Sequence, residues 1–277
     1  MRRAFFILLI TTLSFSVSAK GRGAALDRKS VSTHATQESD QADKDPILGL
    51  WKGNYFITGI ATNKPVSQYT ADIKFQFSLY LRLWRINNVD IFTTYTQRCV
   101  WDIYQKSNPF RETLFGPGVW ASWRKSDQLR LFFGIEHESN GVGNEQSRSF
   151  NCATVATIYE PLDHWRFGAR AWYGFLFHHK TINPGYFRYR GVMHMWGTFH
   201  TRNDRFHVTA LVNPTITFAK YNVQIDAEWK MAKRGNWLPS LFVQYCYGYG
   251  ETMIDYSRRT SKIRIGFSLM NNRSDMY

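Results

Sequence analysis

From Leu50 onward the chain repeats one pattern, an alternation of apolar with polar or small side chains. It fills twelve stretches, at 50–60, 70–84, 88–101, 111–124, 128–138, 149–159, 164–179, 187–202, 205–216, 219–233, 236–249 and 260–271. A period of two is that of a strand with one apolar and one polar face. Several stretches reach the roughly ten residues that cross a bilayer at a tilt, and no run of about eighteen apolar residues offers a spanning helix. An even number of strands can close on itself and leave no backbone edge facing lipid. The expected fold class is therefore all-β, a transmembrane antiparallel β-barrel of twelve strands over residues 47–277. Short connections at Asn87-Asn88, Lys125–Asp127 and Asn203-Asp204 alternate with longer ones at 61–69, 102–110, 139–148 and 250–259. That is the pattern of short periplasmic turns and long external loops.

Composition agrees with this reading. Aromatic residues make up 17% of the chain, with Trp 10, Tyr 15 and Phe 21. Trp and Tyr favour the two bilayer interfaces, where a barrel carries aromatic girdles. The negative mean hydropathy is no objection, because each strand of a barrel has a polar face. A net charge of +14 suggests nucleic acid at first sight, but the cations are scattered through turns and strand ends and form no nucleic-acid motif. Anionic lipid and lipopolysaccharide are the better-matched partners. The first residues, with Arg2 and Arg3, an apolar run over Ala4–Leu13 and small residues before Lys20, read as a signal peptide spanning 1–19. Residues 20–46 are polar and charged and are expected to be a flexible arm. Cys99, Cys152 and Cys246 have unrelated spacings that give neither a metal site nor a disulfide framework, and read as small buried residues.

The chemistry-bearing stretch is 133–151. His137 and Ser139 lie two apart on a strand, so they share a face and continue the apolar row Leu131, Phe133, Ile135. A serine hydroxyl becomes a useful nucleophile when a neighbouring base takes its proton. That base needs a third group to fix its ring and tautomer. After a loop containing Gly141 and Gly143, Asn151 returns on the next strand, within reach of the far nitrogen of His137. Strand parity turns the row outward, toward lipid, and turns Glu136 and Glu138 into the lumen, opposite arginines such as Arg98 or Arg111.

The string His137-Glu138-Ser139-Asn140-Gly141 followed by Ser147-Arg148-Ser149-Phe150-Asn151 resembles the signature of the outer membrane phospholipase A family. The resemblance extends to Phe77–Arg85, Tyr95–Gln97, Ser107–Thr113 and Gly248–Tyr256, and so covers nearly the whole chain after Ile47. Phe150 stands where the family usually has Trp. The resemblance implies a calcium-dependent hydrolase of glycerophospholipid acyl esters, with A1 and A2 activity and lysophospholipase activity. Ser139 would be the nucleophile, His137 the general base and acid, Asn151 the group that orients it, and the Gly141 N–H an oxyanion donor. It further implies activation by homodimer formation, with one calcium ion per active site held by the Ser147 side chain, the Val142 carbonyl and Ser107 of the partner subunit. Gln97 would lie at the dimer contact. The family's second, acidic calcium position aligns with Asn144, a departure that puts a site in the single subunit in doubt. The expected location is the bacterial outer membrane with the active site toward the cell exterior, and the terminal Tyr277 resembles a barrel assembly signal. The competing class is a catalytically silent barrel, a porin or structural protein; a soluble lipid-binding β-sandwich is a third.

Overall fold

The computed structural model describes residues 46–175, 185–215, 217–231, 239–269 and 276; the expected signal peptide, nearly all of the expected arm, and Tyr277 lie outside the described residues. Thirteen strands follow in order: β1 (Leu48–Leu50), β2 (Asn54–Ala61), β3 (Ala71–Ile86), β4 (Val89–Trp101), β5 (Phe110–Arg124), β6 (Leu129–Ser139), β7 (Ser149–Leu162), β8 (Trp165–Phe175), β9 (Met193–His200), β10 (Phe206–Pro214), β11 (Tyr221–Lys230), β12 (Ser240–Gly248) and β13 (Thr260–Leu269). Each pairs antiparallel with its neighbours, and β2 joins β13 to β3. β1 and β2 are two pieces of one interrupted strand, since both pair with β3, Leu50 opposite Leu79 and Tyr55 opposite Gln76. The result is a closed barrel of twelve strands, as the alternation requires, and not a β-sandwich.

Two local departures from the sequence pattern have physical causes. The first strand breaks at Trp51, whose indole turns inward and packs edge-on against Phe92 at 5.1 Å between ring centroids. Residues 187–190, expected to open the eighth stretch, form a short helix, α1 (Phe187–Arg190), between Gly185 and Gly191, both at positive φ. The alternation of Phe187, Arg188, Tyr189 and Arg190 mimics a strand, but the flanking glycines permit the tight reversal that folds this segment inward.

Face parity follows the pattern closely. On β6, Phe133 and Ile135 are exposed on the outer wall at 50% and 59%, while Phe132 and Glu136 are buried in the lumen at 2% and 6%. The lumen is packed. At the end of the short turns, Trp51, Phe92, Trp120, Phe132, Trp196, Leu211 and Met276 form one apolar cluster. Gly134 belongs to this packing, because a Cβ there would fall inside the Trp120 ring. At the end of the long loops, Leu114, Phe150, Cys152, Trp172, Tyr186, Met253 and Tyr256 form a second. Between them lies a cavity of about 120 Å3 lined by charged side chains, among them Lys52, Arg98, Glu138 and Arg190.

Two stretches that carry the family resemblance meet at the loop end. Glu112 on β5 accepts the N–H groups of Met253 at 3.0 Å and Ile254 at 2.8 Å, which fastens the β12–β13 loop across the barrel mouth. Glu251 in the same loop bonds Arg264 at 2.6 Å and pairs with Lys74 at 3.4 Å. Burial alone would raise its carboxyl, but the Arg264 and Lys74 charges prevail and hold it well below the usual carboxylate range. Cys99, Cys152 and Cys246 are free and buried.

Candidate active site

His137 on β6 stands directly opposite Asn151 on β7 in the antiparallel register. Their side chains meet on the outer wall, His137 Nδ1 lying 2.9 Å from Asn151 Oδ1. An amide oxygen only accepts, so the imidazole donates from Nδ1 and its Nε2 lone pair is free to take a proton. Two residues on, Ser139 shares this face and sits opposite Ser149 and Phe115. Among the described residues no hydrogen bond joins Ser139 to His137, so the structure brings together two of the three expected partners. Side chains two apart on an extended strand stand roughly 6.5 Å apart at their roots, and catalytic hydrogen bonds commonly tighten only once substrate is bound.

Past Ser139 the chain leaves the sheet as a loop and returns at Ser149, with one 3-10 turn over Asn144–Gln146. Gly141 sits at φ 63°, in the left-handed region, and a Cβ there would meet the Phe115 ring at 2.6 Å. Glycine is therefore required on both backbone and packing grounds. Among the described residues the Gly141 N–H, the Val142 carbonyl and the Ser147 hydroxyl have no hydrogen-bond partner, so all three are free for a ligand. Ser107 is exposed in the β4–β5 loop at φ 67°. Among the described residues no cluster of three His, Cys, Asp or Glu side chains could hold a metal ion. The donor set at 142 and 147 is instead neutral oxygen, which fits a hard cation such as calcium and no soft one.

Gln97 belongs to the same outer row. The register runs from Phe77 to Gln97, Phe115 and Ser139 across four consecutive strands. Its amide oxygen accepts from Tyr95 Oη at 3.2 Å, on the outer wall and not in the lumen.

Behind the site, the lumen carries the expected acidic pair; Glu138 lines one cavity with Arg98, as expected, whereas Glu136 has other partners. Glu136 is paired with Arg170 and accepts from Thr154 Oγ1 at 3.1 Å, with Lys52 at 3.6 Å. Arg111 pairs instead with Asp102 and Asp72. Which charges face one another across a barrel depends on how the sheet curls, and a linear pattern does not record that. Phe150, in the aromatic place next to Asn151, packs in the lumen tilted against Tyr186 at 5.5 Å and edge-on against Phe187 at 5.6 Å between ring centroids. Arg170 and Asn140 had no signal of their own in the sequence, the first an isolated arginine and the second a mere spacer in the motif.

A closed, lumen-filled antiparallel barrel with polar chemistry on its outer wall defines the class: an outer membrane β-barrel protein that works on lipids. Residues 33–269 match the family model described as Phospholipase A1, and the chain belongs to that family of phospholipid ester hydrolases. It is 26% identical to the phospholipase A1 of Escherichia coli (strain K12) over 213 residues, 72% of this chain and 69% of that one. Two solved structures share the fold. One is the E. coli outer membrane phospholipase A carrying an active-site asparagine-to-alanine replacement, with TM-score 0.71, 22% identity and coverage of 82% of this chain and 94% of that one. The other is the Salmonella typhi outer membrane phospholipase dimer with bound calcium, with TM-score 0.72, 22% identity and coverage of 84% and 96%.

Proposed function

We propose that the chain is a calcium-dependent phospholipase of the bacterial outer membrane, cleaving acyl esters of glycerophospholipids at both positions and of lysophospholipids, with Ser139 as nucleophile. The observation that carries this reading is the His137–Asn151 bond on the lipid-facing wall, with a serine two residues farther along the same face. His137 takes the Ser139 proton at Nε2 as the hydroxyl attacks the ester carbonyl, and returns it to the departing alcohol. Asn151 holds the ring by accepting from Nδ1, and a neutral amide does so without placing a carboxylate beside lipid. The N–H of Gly141 would receive the oxyanion. Val142, Ser147 and Ser107 of the partner subunit would hold calcium, which when bound supplies further charge stabilisation to the carbonyl oxygen.

Dimer formation would add the partner's Ser107 to each site, with Gln97 at the contact, since a polar amide on a lipid-facing wall is best satisfied by its twin. The Salmonella typhi dimer with calcium supports this assembly. A periplasmic N-terminus, after removal of residues 1–19, would bring the site to the external leaflet, and the exposed Arg188, Arg258 and Arg259 would meet lipopolysaccharide phosphates there. Apolar clusters at both ends of the lumen favour an enzyme over a porin.

The test is fatty-acid release from a diacyl phospholipid in mixed micelles with and without calcium, together with fluorophosphonate labelling. Wild type should release fatty acid and label; Ser139→Ala should abolish labelling, and both Ser139→Ala and His137→Ala should lower turnover by about 10^3-fold or more. Turnover unaffected by Ser139→Ala would end the reading.

A further inference from the structure

Asn140 directly follows the proposed nucleophile, and β6 parity turns it inward where Ser139 turns outward. It is 2% exposed, and both ends of its side chain are engaged. Its backbone N–H donates to the Arg148 carbonyl at 3.0 Å. Its side-chain Oδ1 accepts the N–H of Arg148 at 2.9 Å and that of Val142 at 3.4 Å, while Nδ2 donates to the Gln146 carbonyl at 2.8 Å. One amide thus takes the place of a further rung between β6 and β7 just where the sheet opens into the loop. From the returning strand, Arg148 Nη1 donates to the carbonyls of Glu145 and Ser147, at 2.8 Å each. Gly141, Val142 and Ser147 hang between these fastenings.

We infer that Asn140 is a positioning residue, which holds the Gly141 N–H in line with the reacting carbonyl and the Val142 and Ser147 oxygens at cation-binding separation, without touching substrate itself. The inference rests on the reading of Ser139 as nucleophile. The chemistry is specific to asparagine. A carboxylate in its place keeps both acceptor bonds but loses the donor to Gln146 and repels that carbonyl. An alanine removes the acceptor of the Arg148 N–H and the Nδ2 donor to the Gln146 carbonyl, and loosens the loop. A glutamine is one methylene too long for the same three contacts.

The experiment uses full-length Asn140→Ala and Asn140→Asp with wild type, each checked for a folded barrel by heat-modifiable gel migration. Two quantities are followed: the rate of fluorophosphonate labelling without calcium, which reports the oxyanion geometry, and the calcium concentration at the midpoint of the thermal shift, which reports the cation site. For Asn140→Ala, labelling should slow by about 10- to 100-fold, because small misplacements of a catalytic donor have that effect. The calcium midpoint should rise by about tenfold or more, as it does when groups that orient metal ligands are removed. KM for micellar phospholipid should stay near wild type. Asn140→Asp should fall between the two, and it carries the test alone if alanine prevents folding. A folded variant with both quantities within about twofold of wild type overturns the positioning role and leaves the nucleophile intact. A wild-type protein that does not label overturns the nucleophile reading, and this inference with it.

Discussion

The two faces of β6 make an instructive pair. Outward, the row Leu131, Phe133, Ile135, His137, Ser139 is apolar until its last two members. Inward, the row Phe132, Gly134, Glu136, Glu138, Asn140 begins among tryptophans and ends in charge and amide bonding. The outer row meets a solvent that offers no hydrogen bonds and tolerates a polar group only where it is paired or at the interface. The inner row meets other side chains, so it can bury a carboxylate provided an arginine answers it. A site on the outer wall therefore draws support from the inner one: Glu136, next to His137, is tied to Arg170 and Thr154 across the lumen.

The comparison is broken most severely from inside. Arg170→Leu strips Glu136 of its guanidinium partner and leaves a carboxylate in the lumen, so unfolding free energy in urea should drop by about 3–5 kcal/mol. If stability is unchanged, the inner row is not the support of the outer. A smaller effect is expected from the lipid side. Ile135→Lys puts a cation near the middle of the membrane-facing wall and should cost about 2–4 kcal/mol when refolding is measured in lipid vesicles. An equal penalty in detergent-free buffer would argue against lipid contact. The smallest effect belongs to the loop. Glu251 has a depressed carboxyl, so its pairing with Arg264 and Lys74 stabilises the fold above the ordinary carboxylate range and is lost as pH falls through the lowered value. Glu251→Gln should cost about 1–2 kcal/mol at neutral pH, and the difference from wild type should shrink below about pH 4. A gap that is constant with pH would show that the charge plays no part.

Much of this was readable from the chain, because a period of two states both the strand and its face. The twelve strands, the outward turn of His137 and Ser139 and the pairing of β6 with β7 all follow from alternation and one loop. What alternation cannot carry is anything decided by curvature or by contacts far apart in the chain. Glu136 finds Arg170, 34 residues away, and not Arg98 or Arg111. Residues 187–190 alternate like a strand yet coil between two glycines. Met276, close to an end read as an assembly signal, lies 1% exposed within the aromatic cluster of the lumen. Asn140 lay in plain view inside the motif, but its bonds to Val142, Gln146 and Arg148 exist only once the loop has closed.

The stoppered bore has a consequence for traffic. Among the described residues, apolar side chains close the bore toward both mouths and leave what a hydrolase makes no axial passage. On the proposed reading, cleaved chains and the remaining half-lipids would depart sideways into the leaflet they came from, and the compartment beneath would be spared the detergent.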